Sequence, residues 1–154
     1  MKKQVILYTD GACSGNPGVG GYGGILIYGD VQREYSGAEE QTTNNRMELM
    51  AVIVGLEALT KPCHVTVISD SKYVTDAFNQ HWVDSWLRNN WINSAKKPVK
   101  NKSLWLRLLK AMESHKVEFQ WIKGHAGHPE NERCDKLATM AADGSHLLID
   151  PMEE

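Results

Sequence analysis

Two short apolar runs, each closed by an aspartate, constrain this chain more than any other feature: Val5-Ile6-Leu7-Tyr8-Thr9-Asp10 and Val65-Thr66-Val67-Ile68-Ser69-Asp70. Runs of this length without polar alternation read as strands buried on both faces, the kind that form parallel sheets. Asp10 and Asp70 then stand at the carboxyl ends of core strands, where open α/β sheets bind their ligands. What lies between them decides whether the two ends share an edge.

Residues 22–28 and 31–37 read as two strands joined by Gly29-Asp30, a pair suited to a tight hairpin turn, so strands one to three form an antiparallel meander. Residues 45–59 carry Leu49, Val52, Ile53 and Leu56 at helical spacing, and Lys61-Pro62 stops the run. A helical crossover in the usual right-handed sense brings the strand at 65–69 in parallel to the first, with Asp10 and Asp70 at one edge. Residues 71–80, 82–89 and 102–114 are helical candidates. Val117, Phe119 and Trp121 alternate with polar neighbours as in a strand near a sheet edge, and residues 127–142 close the domain as a helix, with Pro129 near its start and Gly144 past its end. The expectation is one α/β domain over residues 1–144: a five-stranded mixed sheet, strands four and five parallel to strand one, helices on both faces. Residues 145–154 form a short acidic tail, expected to be loosely ordered.

At 154 residues one core suffices, since a domain of this size buries roughly 70% of its unfolded surface. Cys13, Cys63 and Cys134 form no CxxC pair and leave one over in any pairing, which argues for reduced thiols in a cytosol. Lys2 and Lys3 precede an apolar run too short for a signal peptide, and the longest apolar stretch, residues 49–56, falls far below the roughly 18 needed to span a bilayer. A soluble, cytoplasmic protein is expected. Net charge is −2, yet residues 82–102 hold Arg88, Lys96, Lys97, Lys100 and Lys102 against Asp84 alone, a local +4 that leaves −6 elsewhere. One basic face on a mildly acidic protein is the footprint of a nucleic-acid partner.

Glu48 is the only acid between Arg46 and Leu56 on an otherwise apolar helix. With Asn45 three residues before it, it also fits a capping box, and both roles are compatible. Taken singly, Asp10 and Asp70 read more readily as turn residues than as catalysts, and Asp135, in the second turn of the last helix, as a surface acid. Convergence changes the reading, because two carboxylates about 4 Å apart repel by roughly 4 kcal/mol at an effective dielectric of 20. Four of them need a counter-charge, and a hard divalent cation such as Mg²⁺, held by oxygen ligands, suits them. Two such ions activate water and stabilise a leaving oxygen in phosphodiester cleavage, which predicts a metal-dependent nuclease. Residues 18–23 fit GxGxxG, but a strand follows where a dinucleotide site needs a helix, so nucleotide binding is rejected.

The chain resembles the type 1 ribonuclease H family in its bacterial form. The residues that carry the resemblance are Tyr8-Thr9-Asp10-Gly11, Gly15-Asn16-Pro17-Gly18, Thr42-Thr43-Asn44-Asn45-Arg46-Met47-Glu48-Leu49, Asp70-Ser71, Lys123-Gly124-His125 and the run from Gly127 through Glu130 and Asn131 to Asp135. They occur in order over nearly the whole chain. The resemblance implies a monomeric endonuclease, without an obligate protein partner, that hydrolyses the RNA strand of RNA/DNA hybrids and leaves 5′-phosphate and 3′-hydroxyl ends. It implies two Mg²⁺ ions, with Mn²⁺ as a substitute, on Asp10, Glu48, Asp70 and Asp135. His125 matches a loop histidine that aids proton transfer or product release, although alone it reads as a surface histidine. Cys13 and Asn16 through their backbone, and Asn44, Asn45 and Glu48, match positions that read the 2′-hydroxyl. Thr43 matches a phosphate pocket and Trp82 a channel for the DNA strand. Ser85, Arg88, Lys96, Lys97 and Lys100 belong to the basic handle, in which Trp86 and Trp91 are assigned to packing. Gln41, Ser85, Leu87, Asn89 and Asn90 stand where close bacterial members often carry arginine, asparagine or further cations, which bears on hybrid affinity and not on the chemistry. The first strand begins at about residue 4, so no separate amino-terminal hybrid-binding domain is expected. A related exonuclease or resolvase, and a catalytically silent hybrid-binding module, are the rival readings.

Overall fold

In the computed structural model, which describes residues 3–144, the chain runs β1 (Lys3–Cys13), β2 (Gly18–Tyr28), β3 (Val31–Thr42), α1 (Asn44–Glu57), β4 (Cys63–Ser69), α2 (Lys72–Asn79), α3 (Trp82–Arg88), α4 (Lys102–Met112), β5 (Lys116–Trp121) and α5 (Pro129–Asp143). The strands pair in the order β3-β2-β1-β4-β5. β1, β2 and β3 are antiparallel neighbours, β4 is parallel to β1, and β5 is parallel to β4. This is the predicted sheet. The tail expected over residues 145–154 lies outside the described residues.

Successive residues of β2 show where the helices sit, because side chains alternate between sheet faces. A Cβ on Gly20 would lie 2.9 Å from Met47 Cγ of α1, and one on Gly21 would lie 2.2 Å from the Ala138 carbonyl of α5. α1 and α5 therefore cover opposite faces, and both come closer than a side chain allows. On the α1 face, Leu7, Val65 and Val67 pack with Met47, Leu49, Ile53 and Leu56, and Trp105 and Leu108 of α4 complete the cluster. α1 is buried nearly all round. Its apolar spacing is thus broader than the single stripe expected of a surface helix.

Three strands exceed their predicted limits. β1 continues past Asp10 to Cys13, β2 begins at Gly18, and β3 reaches Thr42. Glycine-rich segments read as loops because glycine disfavours strands, but here the helices demand glycine on both faces. The cap of α1 also differs from the capping box. Thr43 is the N-cap, its Oγ1 accepting from the Arg46 N–H at 3.3 Å, and Asn45 lies inside the helix. α5 starts at Pro129, two residues later than predicted, since proline at the first helical position has no N–H to leave unsatisfied.

Candidate active site

β1 and β4 pair only as far as Thr9 and Ser69, and beyond that point the strands separate. Asp10 and Asp70 are the next residues on each side of the split, the location at which parallel sheets bind ligands. Two glycines let helices close on this point. A Cβ on Gly11 would lie 2.6 Å from the Glu48 backbone nitrogen, so the start of α1 rests directly on β1. A Cβ on Gly23, which is opposite Asp10, would lie 2.6 Å from Leu137 Cβ, so α5 rests on β2 at the same level. α1 thereby delivers Glu48, and α5 delivers Asp135.

Oxygens of Asp10, Glu48 and Asp70 all lie within 4.8 Å of one another. Asp135 lines the same open cleft, of about 460 Å³, and its charge acts on Asp10. Only 5% of Asp10 and 6% of Glu48 is exposed. Burial, followed by the charges of Asp70 and Asp135, pushes the Asp10 carboxyl up to about 8, against the pull of the Gly11 N–H that donates to its Oδ1 at 3.0 Å. Burial, then Asp10 and Asp70, hold Glu48 well above the usual carboxylate range. Among the described residues Glu48 Oε1 is buried without a hydrogen-bond partner. An orphaned carboxylate oxygen beside two further carboxylates fits a hard divalent cation better than any protein donor present.

The supporting groups are specific. Asn131 is buried, with Nδ2 3.5 Å from Asp70 Oδ2, and Trp121 Nε1 donates to the Asp70 carbonyl at 3.0 Å. A Cβ on Gly124 would lie 2.5 Å from Asp70 Oδ2, so glycine is what lets the following loop approach the acid. That loop presents His125, exposed and in a left-handed conformation (φ 55°), at the cleft wall.

Asn44 and Asn45 line the cleft beside Glu48. The Asn16 side chain accepts from the Asn44 N–H at 2.9 Å, and the Cys13 thiol donates to nearby carbonyls, including that of Thr42 at 3.4 Å. Both side chains are thus occupied in seating the β1–β2 loop on the start of α1. The basic segment lies apart, since Trp82, Ser85, Arg88, Lys96, Lys97 and Lys100 are not among the cleft-lining residues. Trp82 is 42% exposed, whereas Trp91 is buried and Trp86 packs between Trp91 and Trp105 at ring separations of 5.9 and 5.1 Å. Ser85 is half-buried and its Oγ accepts from Asn89 Nδ2, while Arg88, Lys96, Lys97 and Lys100 are exposed.

Sequence reasoning gave no role to Asn131, Lys72 or Asn93. Asn131 stands in the quoted run before Asp135, one helical turn away, and that spacing was the signal. Asn93 Oδ1 accepts from the N–H groups of Ala95 and Lys97 at 2.9 and 3.0 Å and so shapes the turn that carries Lys96 and Lys97. A local asparagine turn of this kind is visible only in the fold.

Comparison with known proteins agrees with this geometry. Residues 2–143 match the family model described as RNase H. The ribonuclease H of Lachnoclostridium phytofermentans is 60% identical, covering 98% of this chain and 99% of its own length. That of Desulforamulus reducens is 53% identical, with 96% and 93% covered. Among solved structures, LC9-RNase H1, a type 1 RNase H with the type 2 active-site motif, superposes with a TM-score of 0.85 at 33% identity, covering 99% of this chain and 79% of that one. LC11-RNase H1 in complex with an RNA/DNA hybrid superposes with a TM-score of 0.70 at 25% identity, covering 90% and 96%. A sheet that parts between two aspartates, with helices bringing two more acids to the gap, is here joined to identity along almost the entire length, and the chain belongs to the RNase H family.

Proposed function

We propose that the protein is an endonuclease that hydrolyses the RNA strand of RNA/DNA hybrids, with two divalent cations, and leaves 5′-phosphate and 3′-hydroxyl ends. The observation that carries the reading is the cluster of buried Asp10 and Glu48 with half-buried Asp70, and an orphaned oxygen on Glu48. The family match and the hybrid held by LC11-RNase H1 supply the substrate class.

Asp10, Glu48 and Asp70 would hold the cations, with Asp135, from the wall of the same cleft, completing the set. Mg²⁺ suits this all-oxygen set, Mn²⁺ being a substitute, and the bound pair supplies an activated water and a counter-charge for the leaving 3′ oxygen. The chain's own groups do the rest. Asn131 and the Trp121 indole fix Asp70 from its side chain and its carbonyl, so the acid does not turn when charge changes around it. His125, on a loop flanked by Gly124 and Gly127, takes up or delivers a proton at the reacting phosphate and lets product leave.

Asn44 and Asn45 at the cleft, with the backbone of Cys13 and Asn16 and one oxygen of Glu48, read the 2′-hydroxyl that separates RNA from DNA. Thr43 meets a DNA phosphate while its Oγ1 caps α1, because a hydroxyl accepts and donates at once. Trp82 lies along the DNA strand, and Arg88, Lys96, Lys97 and Lys100, with Ser85 beside them, bind phosphates. The protein acts as a monomer on its hybrid. No helix among the described residues is long and apolar enough to cross a membrane.

The test uses a hybrid labelled on each strand, with Mg²⁺ or with chelator. The wild type is expected to cut only the RNA, and to lose that cleavage with chelator or in Asp10→Asn. Binding without cleavage under every metal condition overturns the enzyme reading, and cuts in the DNA strand overturn the substrate reading.

A further inference from the structure

Among the described residues, Lys72 is the only lysine or arginine that lines the acidic cleft. It opens α2, where the helix dipole disfavours a cation. Neutralising the cleft carboxylates would be the simplest reason for it to stand there. Yet none of the ion pairs among the described residues includes Lys72. Its Nζ lies instead 4.7 Å from the centre of the Trp121 ring. That ring is 41% exposed at the end of β5, and its Nε1 is tied to the Asp70 carbonyl. An indole anchored to the backbone of a cleft acid therefore holds the ammonium at the cleft rim, over the ring and outside ion-pair distance of the carboxylates. Its donors are kept for an anion that comes from outside.

We propose that Lys72, steered by Trp121, binds a backbone phosphate of the strand being cut, next to the scissile one and separate from the basic segment. The proposal rests on the hybrid-cleaving function argued above. A cation in the cleft meets the reacting strand, whereas the exposed lysines of the segment lie outside it. Lys72 is a binding residue, and Trp121 a positioning residue that acts through it.

The test uses hybrids whose cut strand carries one short ribonucleotide run, flanked by deoxynucleotides in which single phosphates are replaced in turn by neutral methylphosphonates. For the wild type, one flanking position is expected to raise KM about 5- to 10-fold at 0.1 M salt and to reduce the salt slope of binding by about one. Lys72→Gln reproduces both changes on the unmodified hybrid and is insensitive to methylphosphonate at that position. Lys72→Arg, which keeps a cation able to stack on the indole, restores the sensitivity. Trp121→Leu shrinks the penalty at that position while leaving those at other positions unchanged, which a purely structural role would not do. Equal KM and salt slope for Lys72→Gln and wild type, or a penalty that persists undiminished at every position in Lys72→Gln, overturns the proposal. Failure of the wild type to cut the RNA of an unmodified hybrid would instead overturn the functional reading beneath it.

Discussion

The acidic cleft and the basic segment between Trp82 and Lys102 gather like charges in opposite ways. The cleft draws its acids from β1, α1, the β4–α2 junction and α5, burying Asp10 and Glu48 and half-burying Asp70 and Asp135 beside them. The segment is continuous in sequence, sits on a base of packed tryptophans, and spreads its cations over exposed turns where water and salt screen them. Repulsion is stored in the first and dissipated in the second. The cations proposed above would relieve the cleft, so losses there should be close to complete. The segment should instead weaken by increments, and its contribution should depend on salt.

The largest expected effect removes one cleft charge. Asp10→Asn should lower kcat/KM by about 10³-fold or more, because each cation site contributes several kcal/mol to the transition state. Gel-shift assays should find hybrid binding retained, since the segment is untouched. Comparable loss of binding and of cleavage would break the division between the two regions. Next in size, replacing Lys96, Lys97 and Lys100 together by glutamine should cost up to about 10²-fold in hybrid affinity at 0.1 M salt and flatten the salt dependence by up to about three units. A titration of binding against salt checks this, and an unchanged slope would remove these lysines from the substrate surface.

The stored repulsion also has a signature without substrate. Burial and the neighbouring acids push Asp10 to about 8, above the 3.8 of the unfolded chain. Between those values the folded, metal-free protein holds a proton that the unfolded chain has released. The stability this provides is full below about pH 4 and is lost as pH rises through about 8. Asp10→Asn, neutral throughout, should therefore match the wild type in Tm near pH 4 and exceed it by about 5 °C or more at pH 9 in chelator. Added Mg²⁺ should close the gap by stabilising only the wild type. A gap independent of pH would place the strain elsewhere.

The two regions also differed in how far they could be read from sequence. The basic segment is a local excess of one sign, so Arg88 and its lysines are visible by counting. The cleft was visible by topology, because two strands that each end in aspartate and are joined by one crossover must bring Asp10 and Asp70 together. Glu48 and Asp135 were harder to place by physics alone. Nothing in the helical periodicity says that Gly11 and Gly23 draw α1 and α5 onto the strands at the level of Asp10. Gly11 likewise hid the true length of β1, and Gly20 and Gly21 that of β2, since a residue that weakens an isolated strand is required where helices press on the sheet. Lys72 and Trp121 were out of reach for a similar reason. They are distant in sequence, and nothing pairs them until β5 lies beside β4.

The smallest expected effect falls beside the cleft, at Thr43, which directly precedes the cleft-lining Asn44. Its Oγ1 caps α1, the helix that carries Glu48, and its hydroxyl is proposed to meet a DNA phosphate. Thr43→Ala should cost about 1 kcal/mol, a drop of about 3 °C in Tm, because the Arg46 N–H loses its partner. Thr43→Ser keeps the hydroxyl and should hold the wild-type Tm to within about 1 °C, since serine caps at least as well as threonine. Hybrid KM then separates the two roles. If the hydroxyl serves both the helix and the substrate, alanine raises KM by about 3-fold while serine does not, as expected for one hydrogen bond of ordinary strength. A Tm loss in alanine with KM unchanged would assign Thr43 to the fold alone and take its hydroxyl off the substrate surface.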